Sequence, residues 1–283
     1  MEELAAKYVL FDFEIIVLTT LVLGIALYEL LRRIRRKHPV GPHYFDRFDL
    51  LLMIFPAFFY LVSPILNAMV ETPTPPAEKT EGGGQVVLML VNLAFIGFVG
   101  ILTYAILAWG RGYSVRKVCG LHRMTFPMIV VFTILGGIMA FFLCSVFLGG
   151  ISQNFLNGVF GKLNEQEPVE MFKDSSSLFH LGLSIFVACI AAPLVEEFLF
   201  RGYMYGVVKK YTSPVFAAFV IGGIFAVAHG NLPALMPLWA FAVFLTIAYE
   251  ITGCLWVPVG IHAFFNLANV ILLLNQPNAV EAI

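Results

Sequence analysis

Apolar residues run through this chain in long, nearly unbroken stretches separated by short polar segments. The runs fall at about 11–31, 49–70, 86–109, 126–149, 178–208, 215–230, 234–252 and 256–274. Most come close to the roughly 20 residues with which a helix crosses about 30 Å of hydrocarbon. The pattern predicts an all-α, polytopic transmembrane helical bundle of about eight spans, the fifth long and the sixth short.

The polar segments orient these spans. Arg32, Arg33, Arg35, Arg36, Lys37 and Arg47 follow the first run; Arg111, Arg116, Lys117 and Arg123 follow the third; Lys209 and Lys210 follow the fifth. The other connections carry little positive charge, so alternate loops are basic. This predicts basic loops in the cytoplasm and both termini outside it. The cluster Arg32–Lys37 is most simply a topology determinant. The first run has Asp12 and Glu14 at its start and its basic cluster after it, the reverse of a cleavable signal, and reads as a retained helix. The Pro- and Gly-rich segment 71–84 reads as a flexible outer connection. No inverted repeat of the transporter kind is visible.

Composition makes the membrane assignment firm: 60% of residues are hydrophobic, 12% are charged, and mean hydropathy is +0.89. An average soluble domain is about 25% charged. The formal net charge of −1 says little about partners. Cys119, Cys144, Cys189 and Cys254 are scattered, without a CxxC pair, and read as small core residues. There is no Gly-rich phosphate loop, and the many Phe residues read as lipid-facing, so no nucleic acid partner is expected.

A charge at a helix centre costs about 2.5–3.5 kcal/mol on insertion scales, so polar residues within spans call for an explanation. They concentrate in the last third of the chain. In "PLVEEFLFRGY", Glu197 and Arg201 are four apart, about 40° around a helix, and can pair along one face. Glu196 lies about 140° from Arg201. One reading is a single buried ionic cluster that locks helices together. The other is a Glu197–Arg201 pair beside a separate acid, Glu196, free to act as a base. Pro193 upstream lacks a backbone donor and is positioned to kink the helix. In "GGIFAVAHG", Gly222 and Gly223 would admit a neighbouring helix, and Phe225 and His229 share a face. In "WVPVGIHAFFNLANV", His262, Asn266 and Asn269 form a polar stripe, which is equally a structural seam. Glu250, near the end of the seventh run, reads as snorkelling to the interface.

A carboxylate, two imidazoles and a carboxamide on three spans are the groups that peptide hydrolysis requires. Together "EEFLFRG", "FAVAHG" and "HAFFN" resemble the EExxxR, FxxxH and HxxxN motifs of the CPBP (ABI) family. These are intramembrane glutamic endopeptidases related to the type II CAAX prenyl endopeptidase. The resemblance covers about 178–275, including "YEITGCLWVPVGIH". It implies a catalytic core there, behind an N-terminal transmembrane region, 1–177, and ahead of a tail, 276–283.

The resemblance also implies roles. Glu196 would activate water, which His229 helps to bind or orient; His262 and Asn266 would stabilise the oxyanion. Glu197 and Arg201 would support the geometry, and Phe225 would pack against His229 and shape the pocket. The implied partners are the bilayer and a membrane-associated peptide, of prenylated CAAX type where the host makes such ends. No cofactor is implied. Glu196, His229 and His262 are also a conceivable zinc set, against which HExxH is absent. Other family members act as membrane scaffolds or in bacteriocin immunity, which leaves a non-catalytic alternative. Solute transport would need a continuous polar path, whereas these residues cluster. The chemistry predicts a polar cavity between the fifth, sixth and eighth spans, open to the cytoplasm. Within it His262 is expected near the cytoplasmic start of its helix, with Glu196 and His229 deeper.

Overall fold

The computed structural model describes residues 44–70, 83–160 and 178–275. The first apolar run, the Arg32–Lys37 cluster, most of the 71–84 connection and the C-terminal tail lie outside these residues. Among the described residues there are helices and no strands. In chain order these are α1 (Arg47–Leu52), α2 (Ile54–Val70), α3 (Gly83–Ala105, continued by a π-helical turn at Ile106–Gly110) and the short α4 (Val115–Val118). The long helices α5 (Phe126–Val159) and α6 (Phe179–Tyr211) follow, then α7 (Pro214–Ala228), α8 (Leu232–Thr252) and α9 (Trp256–Leu274).

Five helical segments among the described residues are long and apolar enough to cross a membrane: Leu93–Gly110 and the helices α5, α6, α8 and α9. The chain is an integral membrane helical bundle. Its outer surface keeps large apolar side chains exposed, among them Trp109, Phe126, Ile101 and Phe179, as a lipid-facing surface requires. The sixth expected span is the short α7, started by Ser213, whose hydroxyl accepts from the Phe216 amide at 3.1 Å, with Pro214 in the first turn. Asn231 caps α8 in the same way, through the Ala234 amide at 2.8 Å. Gly253 ends α8 with φ of 62°, a conformation that costs a side-chain-bearing residue but not glycine.

With 34 and 33 residues, α5 and α6 are each about 50 Å long, more than the hydrocarbon is thick, and must tilt or project beyond it. Neither is regular. A π-helical stretch occupies Phe141–Leu148 in α5, and two occupy Val187–Ala191 and Phe198–Met204 in α6. Pro193, which has no amide hydrogen to donate into the preceding turn, follows the first π stretch of α6 directly. α5 and α9 approach closely because Gly136 and Gly137 face Ile261 and Phe264, while Gly260 faces Thr133; a Cβ at any of the three would overlap its neighbour. Gly222 lets α7 approach Trp239 and Val243 of α8, whereas Gly223 faces open space.

Among the described residues, the segment before α1, the loops around α4 and the end of α6 meet. Asp46 caps α1 and is paired with Arg111, whose guanidinium also donates to the Tyr113 hydroxyl at 2.9 Å. Tyr113 in turn donates to buried Asp49 at 3.1 Å, and Tyr203 of α6 donates to the Asp49 carbonyl at 3.1 Å. The hydrogen bond from Arg111 holds the Asp46 carboxyl below its ordinary pKa. The Leu255 amide donates to the Cys119 carbonyl at 3.0 Å, tying the start of α9 to the loop before α5. Burial pushes the Cys119 thiol up to about 12; it and the other three cysteines are free and buried.

Glu250 departs from its expected place. It does not snorkel: it is 1% exposed, paired with Lys209 of α6, and accepts from the Tyr205 hydroxyl at 2.9 Å. The length of α6 explains this, because its last turns run alongside the end of α8 and carry a lysine to the glutamate.

Candidate active site

The two π stretches of α6 bracket the segment Ala192–Glu197, which carries both acidic residues. Glu197 is fully buried. Its Oε1 accepts from Arg201 Nη1 at 2.8 Å and lies 2.9 Å from His262 Nδ1 of α9. Arg201 also donates from Nη2 to the Ala242 carbonyl of α8 at 3.0 Å, an oxygen shared with Thr246 Oγ1. One guanidinium and one carboxylate therefore join α6, α8 and α9. Burial of such a pair costs several kcal/mol per ion, which its two further partners, His262 and the Ala242 carbonyl, recover in part.

Glu196 points elsewhere, as the helical angles require. Its side chain keeps 11% exposure, and its nearest ionic neighbour is His262 Nε2 at 3.9 Å, beyond hydrogen-bond range. The His262 ring thus stands between the two glutamates, with Nδ1 on Glu197 and Nε2 toward Glu196. His262 is consequently level with Glu196 and not shallower. The expected difference in depth fails because α6 extends past the start of α9: Gly202 lies against Leu255 and Cys119.

His229 is the C-terminal cap residue of α7 and is exposed. Its Nδ1 meets the Phe225 carbonyl at 2.8 Å; a carbonyl only accepts, so Nδ1 carries the hydrogen and Nε2 of the neutral ring presents a lone pair. No ion pair joins His229 to either glutamate among the described residues. Phe225 links them instead: it packs against His229 with centroids 4.7 Å apart and against His262 at 5.7 Å, and the Arg201 guanidinium lies 4.8 Å from its centroid. Phe241 supports the other side of His262 at 5.3 Å.

The stripe on α9 divides three ways. His262 serves the glutamates. Asn266 donates to the Ala188 carbonyl at 2.7 Å, inside the first π stretch of α6, where the altered backbone pairing leaves an oxygen to accept it. Asn269 accepts from Ser145 in the π stretch of α5 and donates to the Phe265 carbonyl at 2.8 Å, which makes it a seam residue. Among the described residues, no three of His, Cys, Asp and Glu converge as a group able to hold a metal ion.

One neighbour carries no signal in the sequence. Tyr60 of α2 packs edge-on against Phe200 of α6, centroids 4.8 Å apart, and its hydroxyl lies within electrostatic range of both Glu196 and Glu197. It sits in "PAFFYLVSP", where nothing in the spacing separates it from the surrounding aromatic residues.

Membrane helices carrying a buried pair of glutamates, an arginine and a histidine define a class that the comparisons bear on directly. Residues 178–268 match the family described as "Type II CAAX prenyl endopeptidase Rce1-like". This segment of the chain belongs to that family, as the CPBP motifs imply. YdiL of Bacillus subtilis (strain 168), provisionally named a membrane peptidase, is 30% identical over 142 residues, covering 50% of this chain and 57% of that protein. MroQ of Staphylococcus aureus (strain USA300), named a membrane-embedded CAAX protease, is 32% identical over 103 residues, covering 34% of this chain and 42% of that protein. The matches thus span about half the length of these relatives. No solved structure gives a significant match.

Proposed function

We propose that this protein is an intramembrane endopeptidase that hydrolyses a peptide bond in a membrane-associated substrate, with Glu196 activating the water. The observation that carries the reading is the position of His262, which brings motifs from α6 and α9 together by standing between Glu197 at 2.9 Å and Glu196 at 3.9 Å. The names of the relatives favour the same activity.

In this reading the division of the acids is functional. Glu197 is engaged with Arg201 and His262, so it fixes the imidazole rather than taking a proton. Glu196, lacking a close partner, takes the proton from water as the oxygen attacks the scissile carbonyl carbon. It returns that proton to the departing amine when the C–N bond breaks. His229 Nε2 accepts from the water and orients it. His262, with Nδ1 committed to Glu197, has Nε2 left for the reacting groups and donates from it to the oxyanion when it carries a proton. The second hydrogen of the Asn266 amide serves the same oxygen, while the first holds the side chain to Ala188. Phe225 sets the spacing of the two imidazoles. No metal enters this sequence of events; stoichiometric zinc in the purified protein, with chelator-sensitive cleavage, would replace it with a zinc mechanism. In this reading the basic end of the bundle faces the cytoplasm, and a peptide reaches Glu196 from that side.

The test compares membrane peptides that accumulate with wild-type protein and with Glu196→Gln. The expected result is a set of cleavage products present only with wild type, from a variant with unchanged thermal unfolding. Full cleavage by Glu196→Gln would sink the glutamate-base assignment. Equal biological complementation by wild type and Glu196→Ala would point to a scaffolding role.

A further inference from the structure

The structure points to a further catalytic residue, and the inference rests on the reading above: Tyr60 donates its phenolic hydrogen to the scissile carbonyl oxygen as that oxygen becomes the oxyanion.

The argument starts from supply and demand of hydrogens in the site. A developing oxyanion needs fixed donors aimed at it. Most donors nearby are already engaged: His262 Nδ1 faces Glu197, Arg201 Nη1 and Nη2 face Glu197 and the Ala242 carbonyl, and Asn266 has one hydrogen on the Ala188 carbonyl. The Tyr60 hydroxyl is buried and has no hydrogen-bond partner among the described residues. Buried hydroxyls are nearly always bonded, so an orphan on a ring packed against Phe200, itself 5.9 Å from the Arg201 guanidinium, calls for an explanation. Glu197 Oε2 is orphaned too, so no hydrogen bond joins the phenol to that oxygen.

The holding is done by aromatic packing. Tyr60 lies edge-on to Phe200 at 4.8 Å with planes 73° apart, Phe200 lies edge-on to Phe225 at 5.2 Å, and Phe225 packs on His262 at 5.7 Å. Three rings thus connect α2 to the imidazole between the glutamates and fix the phenol without using its hydroxyl. Catalytic hydrogen bonds are often unmade in a substrate-free site and form only with the peptide bound. A neutral donor also suits this position. A cation there would pair with Glu196 and blunt it as a base, whereas a phenol donates without bringing charge.

The step balances. Water oxygen bonds to the carbonyl carbon, its proton moves to Glu196, and the carbonyl π pair moves onto oxygen, which accepts from Tyr60. On collapse the C–N bond breaks, the amine takes the proton from Glu196, and Tyr60 keeps its own proton throughout.

The experiment uses the protein in proteoliposomes with a peptide substrate cleaved by wild type, and compares wild type, Tyr60→Phe and Glu196→Gln. Tyr60→Phe removes one oxygen and keeps the ring packing. The expected result is a fall in kcat of about 10²-fold, with KM within about twofold of wild type. A phosphinic peptide, which mimics the tetrahedral anion, should lose affinity by a similar factor, while the uncleaved peptide should bind Tyr60→Phe/Glu196→Gln as it binds Glu196→Gln. Wild-type kcat in Tyr60→Phe, with Glu196→Gln inactive, would overturn the assignment and leave the glutamate mechanism standing. Equal weakening of substrate and phosphinic peptide, or a parallel loss of thermal stability, would also overturn it, because a packing role predicts both. Cleavage surviving in Glu196→Gln would instead overturn the mechanism on which the inference rests.

Discussion

Helix α6 takes part in two buried ionic centres, and they are built on opposite plans. Near its end, Lys209 pairs with Glu250, and Tyr205 donates to the same carboxylate. About 12 Å back along the helix, Arg201 pairs with Glu197, but a second glutamate, Glu196, stands beside the pair with only a histidine nearby at 3.9 Å. The first centre has one acid for one base. The second has an acid in excess, and two of its buried atoms, Glu197 Oε2 and Arg201 Nε, have no partner among the described residues. A membrane helix tolerates a closed ion pair as a fastening. It retains an unmatched carboxylate at a cost that only chemistry or binding justifies.

Substitutions should separate the plans. The largest effect is expected on activity: Glu196→Gln should lower peptide cleavage by at least about 10³-fold with no change in thermal unfolding, because no close partner loses a bond. Cleavage assays on reconstituted protein beside an unfolding curve would check both halves. Glu250→Leu should do the reverse. It removes the carboxylate that pairs with Lys209 inside the bundle and should cost about 3–5 kcal/mol of stability, measured by unfolding in detergent. Glu250→Leu/Lys209→Met should recover most of that loss and keep catalysis. Equal damage from the single and double variants would mean that the pair is not the fastening described.

Asn266→Ala lies between the plans, since Asn266 ties α9 to α6 and, in the proposed mechanism, also serves the oxyanion. A stability loss of about 0.6–1.7 kcal/mol is expected, with a larger proportional loss in kcat; a change in stability alone would confine Asn266 to the seam. The smallest effect belongs to Asp46, outside the membrane-spanning helices. Its pKa is lowered in the fold, chiefly by the hydrogen bond from Arg111. Its contribution to stability is therefore complete above the ordinary carboxylate pKa and disappears as pH falls through the lowered value. Asp46→Asn should remove that acid-side dependence while leaving cleavage at neutral pH unchanged. An acid unfolding profile identical to wild type would show that the Arg111 contact contributes nothing.

The helices were legible because each is written as a local run of apolar residues, and the division between Glu196 and Glu197 because it depends only on the 100° turn per residue. What escaped the sequence lies in register between helices. Glu250 looked interfacial because its distance from the end of its own helix is visible and the overhang of α6 is not. His262 looked shallow for the same reason. Tyr60 could not be distinguished from Phe55, Phe58 and Phe59 by spacing, since only the packing of α2 against the rest of the bundle gives its hydroxyl an address. The three-way division of the α9 stripe depended on the backbone of α5 and α6, where π turns offer partners that no side-chain pattern reveals.

Those π turns bear on how the site tolerates change in chain length. A π turn holds more residues than an α turn, so a one-residue deletion within Val187–Ala191 can be absorbed by reverting to ordinary helix, with the backbone still bonded. The ends of the helix would then keep nearly their former directions, because four residues of ordinary helix turn the chain about as far as five of the wider π turn. Glu196 and Glu197 would stay beside the imidazole, while the Ala188 carbonyl that holds Asn266 would return to the ordinary backbone ladder. A lineage could thus lose or gain that partner of Asn266 by a single codon while every helix of the bundle remained intact.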